Sequence, residues 1–241
     1  MLKKIKWIDV RLILLFGVIY FLYSFSADKN ASRRELQTRI DFVGEDNVYI
    51  TESEVNKIIH ENLSFKSNLD KNYKALHELE NVLQNNDKIE TVHVYKTIEG
   101  ILVAQILQKE PVGRVFANGD SFYLDRNGNT MNTTSNYAAR VPIVTGEINE
   151  TTLKDVNFLL QKIHSDDFLK KSIIGVKIFP SRSVILTDRN FDFQIIFGNV
   201  TEVDKKFNNY KAFIQHTLQD SIVNNYKEVN LKFTQQVVCS K

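Results

Sequence analysis

The chain has very little cysteine, proline or charge of one sign. Cys239 is the single cysteine among 241 residues. It excludes an intramolecular disulfide and, with no Cys/His cluster beside it, a zinc site. A small disulfide-stapled scaffold is excluded with it. Lysine and arginine number 31 against 29 aspartates and glutamates, a net charge of +2. That is too little for binding driven by phosphate neutralisation, and no basic stripe with interleaved aromatics occurs. No GxSxG, Walker A or GxGxxG sequence is present. His60, His77, His93, His164 and His216 are scattered, with no HExxH and no close pair. Asp125-Arg126-Asn127-Gly128-Asn129 resembles the opening of a calcium loop. Its glycine stands at the fourth place rather than the sixth, and Asn136 replaces the bidentate glutamate, so a tight turn is the better reading. The expectation is a non-catalytic protein with no cofactor.

Apolar residues make up 43% of the chain and charged residues 25%, enough to build a real core. Leu12 to Phe25, LILLFGVIYFLYSF, is a fourteen-residue stretch with no charge. As a helix it measures roughly 21 Å against roughly 30 Å of hydrocarbon, too short by itself. Extended from Trp7 to Ala27 it is long enough, with Arg11 snorkelling and Asp9 paired near one end. Trp7 and Tyr23 suit interfacial belts, and Lys3, Lys4, Lys6 and Arg11 favour a cytoplasmic N-terminus. A cleaved signal peptide has the same plan, with Ser24-Phe25-Ser26 as a candidate cleavage site. The expected organisation is a cytoplasmic tail at 1–6, an anchor at 7–27, a linker at 28–38 and two exported parts, 39–110 and 111–241.

The first exported part reads strand, helix, helix, strand, strand. Ile40 to Val43 is extended, and a turn over Gly44 to Asn47 leads to a short extended piece, Val48 to Ile50. Thr51 with Glu54 fits a capping box for a helix to about His60. A second helix is expected from Asp70 to Gln84, then strands at Ile89–Lys96 and Ile101–Gln108 joined through Gly100. Pro111 marks a boundary. Beyond it the pattern turns strand-rich: 112–117, 121–124, 129–132 and 141–145, then 174–179, 183–187 and 191–197, with helices near 152–164 and 202–219. Tyr226 to Phe233 reads as the last strand, with Val229, Leu231 and Phe233 alternating against Glu228, Asn230 and Lys232. The fold class is α+β: an N-terminal transmembrane helix, then a POTRA-like domain, then a β-rich domain with flanking helices.

Several stretches carry a family resemblance: Ile89-Glu90-Thr91-Val92-His93-Val94, the strand end Gln108-Lys109-Glu110-Pro111-Val112, Ser121-Phe122-Tyr123-Leu124-Asp125 with Gly128 after it, and Tyr226-Lys227-Glu228-Val229-Asn230-Leu231-Lys232-Phe233. With the order of parts, they make the chain resemble the FtsQ/DivIB family of bacterial cell-division proteins. The resemblance implies a scaffold in the inner membrane at the division septum. It crosses the membrane once, with the N-terminus cytoplasmic and the rest periplasmic. Its exported part binds partners resembling FtsB and FtsL and helps control septal peptidoglycan synthesis. In such proteins the terminal strand of the β domain accepts a strand from the partner. Here that assigns partner binding to Tyr226, Glu228, Val229, Asn230, Leu231, Lys232 and Phe233. A terminal, alternating, proline-free strand suits β-augmentation if its edge is free. Equally, it could be paired within the sheet with its polar face in water. If the edge is free, Val229→Pro removes one ladder donor there. The alternative function is a POTRA-containing periplasmic chaperone or outer-membrane assembly factor, which would bind client strands rather than a fixed partner.

Overall fold

The structure is a computed structural model, and it describes residues 7–32, 37–44, 48–62, 73–117, 119–134, 137–219 and 225–241. It opens with helix α1 (Trp7–Ser32). Leu12 to Phe25 are exposed on every face of this helix, with no apolar stripe turned to a core. The Arg11 guanidinium lies 5.4 Å from the Trp7 ring centre. Among the described residues no helix is long and apolar enough to cross a membrane, so the fold does not itself support the expected anchor over 7–27. The expected tail at 1–6 lies outside the described residues. Of the expected linker at 28–38, the part up to Ser32 is helical, continuous with α1.

The chain forms two compact units. The first comprises residues up to Val43, Glu52–Leu83 and Val92–Ile106. It carries β1 (Thr38–Val43), α2 (Glu52–Glu61), α3 (Tyr73–Gln84) and most of β2 (Ile89–Lys96) and β3 (Leu102–Gln108). The three strands form a sheet in the order β1-β3-β2. α2 packs on β1, and the Thr38 hydroxyl donates to Asn56 Oδ1 at 2.9 Å. Val55 and Ile59 of α2 and Ala75 and Leu79 of α3 recur at helical spacing and are buried. Glu80 Oε1 accepts the Val94 amide at 2.7 Å, tying α3 to β2. Gly100, at φ +94°, makes the β2–β3 turn that its residue type predicted. The expected helix start at 70–72 lies outside the described residues.

The second unit comprises Gly44–Thr51, Gln84–Thr91 and Leu107–Lys241. Its strands are β4 (Pro111–Ala117), β5 (Asp120–Asp125), β6 (Thr130–Asn132), β7 (Ile143–Gly146), β8 (Ile173–Ile178), β9 (Val184–Asp188), β10 (Gln194–Gly198), β11 (Glu228–Asn230) and β12 (Val238–Ser240). They form one sheet in the order β12-β11-β10-β9-β8-β7-β4-β5-β6. The pairs β4/β7, β7/β8 and β10/β11 are parallel and the other pairs antiparallel. Helices α4 (Glu150–His164), α5 (Asp167–Ser172) and α6 (Val203–Gln219) complete the unit. Val156, Leu159, Leu160 and Ile163 of α4, with Phe207, Tyr210 and Ile214 of α6, join Val115, Val144, Val176, Leu186, Ile195 and Val229 in one core. Alternate strand residues such as Lys177, Thr187 and Gln194 point the other way and are exposed.

Two local devices depart from simple strand reading. Val48 to Ile50 do not enter a ladder. Instead the buried Gln108 side chain acts as a surrogate strand: its Oε1 accepts the Tyr49 and Ile50 amides at 2.9 and 3.2 Å, and its Nε2 donates to Ile50 O at 3.0 Å. Asp125, fully buried, is a turn carboxylate. It accepts the Asn127 and Asn129 amides at 2.8 Å each and the Asn129 side-chain amide at 3.1 Å. α5 has no counterpart in the sequence reading. One turn of apolar spacing is too short to register as a period, although Asp166 caps it by accepting the Phe168 and Leu169 amides.

Candidate functional site

The C-terminal strand is shorter than its sequence pattern predicts, and it is not terminal. β11 spans Glu228–Asn230 only. Asn230 Oδ1 accepts the Lys232 amide at 3.0 Å, and this side-chain turn ends the strand. The chain then passes Thr234, whose carbonyl accepts the Asn209 side-chain amide at 3.0 Å, and returns as β12. β11 pairs in parallel with β10, Val229 opposite Ile195, and antiparallel with β12, Val229 opposite Cys239. Both of its edges are occupied. The expectation that Tyr226 to Phe233 form the open edge is therefore corrected: the open C-terminal edge belongs to β12.

The seven residues assigned to partner binding fall into distinct environments. Val229 and Leu231 are fully buried in the core of the second unit. The Tyr226 ring is half-buried and meets the Phe213 ring of α6 edge-on, 5.7 Å between centres. Glu228 and Lys232 are exposed, Asn230 is half-buried, and Phe233 is 54% exposed. Thus Glu228, Lys232 and Phe233 are open to solvent, while Val229 and Leu231 hold β11 to the helices.

β12 has the properties that β11 lacks. Among the described residues it pairs with β11 alone. The Ser240 carbonyl accepts the Lys227 amide at 2.9 Å. Backbone groups alternate along a strand, so the amide and carbonyl of Cys239 face the outer edge. The Cys239 side chain points the other way from Val238 and Ser240, is half-buried against the core, and has its thiol pushed above the ordinary value by that burial. Val238 is 42% exposed. The opposite edge of the sheet, β6, is blunted, because the Asn132 amide donates to Asp87 Oδ2 at 2.7 Å. The sequence did carry a signal for β12 in the apolar pair Val237-Val238. Three residues beside a longer, better alternating stretch are too few to claim a strand by pattern.

A second polar group, missed by sequence reading, gathers at the start of β4. Glu110 Oε1 lies 2.9 Å from His164 Nε2 and 3.7 Å from Lys170 Nζ, and its other oxygen contacts Arg126. The Arg126 Nη2 also stands 3.1 Å from His164 Nε2. One ring nitrogen thus faces both an acceptor and a donor. Burial lowers the His164 pKa from 6.5; Glu110 opposes the shift, while Lys170 and Arg126 reinforce it. A lowered histidine pKa means that the unfolded chain takes the proton first as pH falls. The associated stability is complete above 6.5 and is lost as pH drops from there through the depressed folded value. The expected result is a thermal midpoint that declines on acidification below 6.5, with a shallower decline in His164→Gln. Identical pH profiles for the two proteins would refute it.

Among curated proteins none matches the sequence. The family described as "FtsQ/DivIB, C-terminal related" matches residues 110–240, more than half of the chain, from Glu110 at the head of β4 through β12. With its sheet, its helices and its terminal strand pair inside that match, the chain belongs to the FtsQ/DivIB C-terminal related family of cell-division proteins.

Proposed function

We propose that this protein is a non-catalytic scaffold of the division machinery that recruits partners by β-augmentation at β12. The carrying observation is the outer edge of β12, which no strand among the described residues pairs, at one end of a nine-stranded sheet whose other edge is blunted. A partner strand laid there bonds the Cys239 amide and carbonyl, and the exposed Val238 and Phe233 give it apolar contacts. Glu228 and Lys232, on the neighbouring strand and turn, supply charges that set register. Partners resembling FtsB and FtsL suit this mode, since a short extended segment suffices. The small β1-β3-β2 sheet with its two helices has the element order of a POTRA-like domain.

The localisation that goes with this reading is an inner-membrane protein of the septum, with the N-terminus cytoplasmic and the folded units periplasmic. What supports an anchor over 7–27 is the stretch Leu12 to Phe25 of α1, which is uncharged and exposed on every face. Joined to divisome partners through β12, the protein would help control septal peptidoglycan synthesis.

The test is Cys239→Pro, which removes the outward amide while leaving the inward pairs of β12 in place. Partner co-purification from the native cells is expected to drop at least about tenfold, the worth of one or two main-chain hydrogen bonds. The thermal midpoint stays near wild type. Cys239→Ser controls for the lost thiol and keeps the partners. Undiminished capture by a folded Cys239→Pro protein would reject augmentation at this edge. Recovery of many outer-membrane proteins instead of a fixed set would favour the chaperone alternative.

A further inference from the structure

We propose that the polar cleft where β10 ends and α6 begins is an oxyanion site that takes a phosphoryl group. This inference does not need the free edge of β12, although Lys232 is shared with the proposed partner-binding surface. The cleft has a volume of about 360 Å³ and is lined by Ser181, Ser183, Asn199, Thr201, Lys206 and Lys232, with no carboxylate among them. Lys206 is 3% exposed. Its ammonium donates to the Asn199 carbonyl at 2.7 Å and stands 4.8 Å from the Phe197 ring centre. Among the described residues no carboxylate forms an ion pair with Lys206 or Lys232. Glu202, whose charge reaches Lys206, is engaged by Lys205 at 2.6 Å. A buried cation with no bonded counter-charge is costly unless something supplies the anion. Burial accordingly pushes the Lys206 ammonium below its ordinary value, against the pull of Glu202.

The rest of the cleft supplies donors. Among the described residues the hydroxyls of Ser181, Ser183 and Thr201 have no partner in the chain. α6 runs 17 residues from Val203, so the positive end of its dipole opens beside Thr201. Gly198, at φ +72°, lets the Lys232 stem cross the strand end, since a Cβ there would stand 2.8 Å from Lys232 Cγ. Arg182, in the adjoining cleft, is already engaged by Asp155 through two bonds of 2.8 and 2.6 Å. Two lysines, acting as point charges rather than forks, and three hydroxyls lining the same cleft suit a group offering three oxygens and more than one charge. A carboxylate would satisfy fewer of these donors. The cleft volume leaves room for the carrier of the phosphoryl group.

The full-length chain in non-ionic detergent is titrated with inorganic phosphate and, separately, glycerol 3-phosphate, and the phosphorus resonance is observed. Wild type is expected to broaden the line, with sulfate competing. Lys232→Gln, at an exposed position, and Lys206→Met, which keeps the stem over Phe197, weaken the apparent affinity by at least about tenfold. Lys57→Gln, in the other unit, leaves it unchanged. Tighter binding of glycerol 3-phosphate identifies an organic phosphoryl carrier, and equal binding identifies free phosphate. No broadening by wild type overturns the site. So does broadening that persists in Lys232→Gln, whose folding is verified by circular dichroism whether or not Lys206→Met folds.

Discussion

Replacing Gly146 by alanine is expected to destabilise the second unit by at least about 4 kcal/mol, because two independent penalties meet at one residue. Gly146 closes β7 opposite Ile178 of the parallel strand β8. Its φ is +109°, a region that side chains rarely adopt. A Cβ there would stand 2.0 Å from the Ile178 carbonyl oxygen, which already accepts the Glu147 amide at 3.0 Å. The clash is with backbone, so no rotamer change relieves it. The parallel β7–β8 pairing must shift, and with it the start of α4, where Asn149 and Thr152 form a reciprocal capping box. Denaturant unfolding measures the effect. A loss under about 1 kcal/mol would show that this junction is not the rigid point the geometry requires.

Val229→Pro is expected to cost about 3 kcal/mol or more and to impair folding, rather than to trim an exposed edge. Val229 is fully buried. The Gln194 amide donates to Lys227 O and the Leu231 amide to Ile196 O, both at 2.9 Å, so by alternation the Val229 amide also faces β10. Proline there removes an interior ladder bond and drives its ring toward the neighbouring strand. Unfolding midpoints of Val229→Pro and Cys239→Pro should differ sharply, although the two residues are paired across β11 and β12. Equal, small losses of stability in both would mean that β11 is not held between two strands.

The contrast between these two residues shows where sequence reading ends. Alternation over eight residues from Ile89 to Lys96 is a strong local signal that predicts β2, and the strand is found there. α4 and α6 were placed by stripes such as Val156-Leu160-Ile163 and Phe207-Tyr210-Ile214, which need only the helix period. The family is legible too, in echoes such as Glu110-Pro111-Val112 and Tyr226 to Phe233 that the match to residues 110–240 covers, whereas the echo at Ile89 to Val94 lies outside it. The candidate site was less legible. Val229 and Leu231 alternate with polar residues, and alternation reports that a strand has one buried face. It does not report whether its edges are paired.

By itself, then, the sequence determined the kinds of elements, most of their limits, the turns at Gly100 and Asp125, and family membership. These depend on periods and turn chemistry acting over a few residues. Only the tertiary structure decided that β11 lies between β10 and β12, and that Lys206 and Lys232 share one cleft. It also brought Glu110 to His164. Each of these joins residues far apart in the chain, and such pairings follow from how the whole sheet closes over its helices rather than from any local preference.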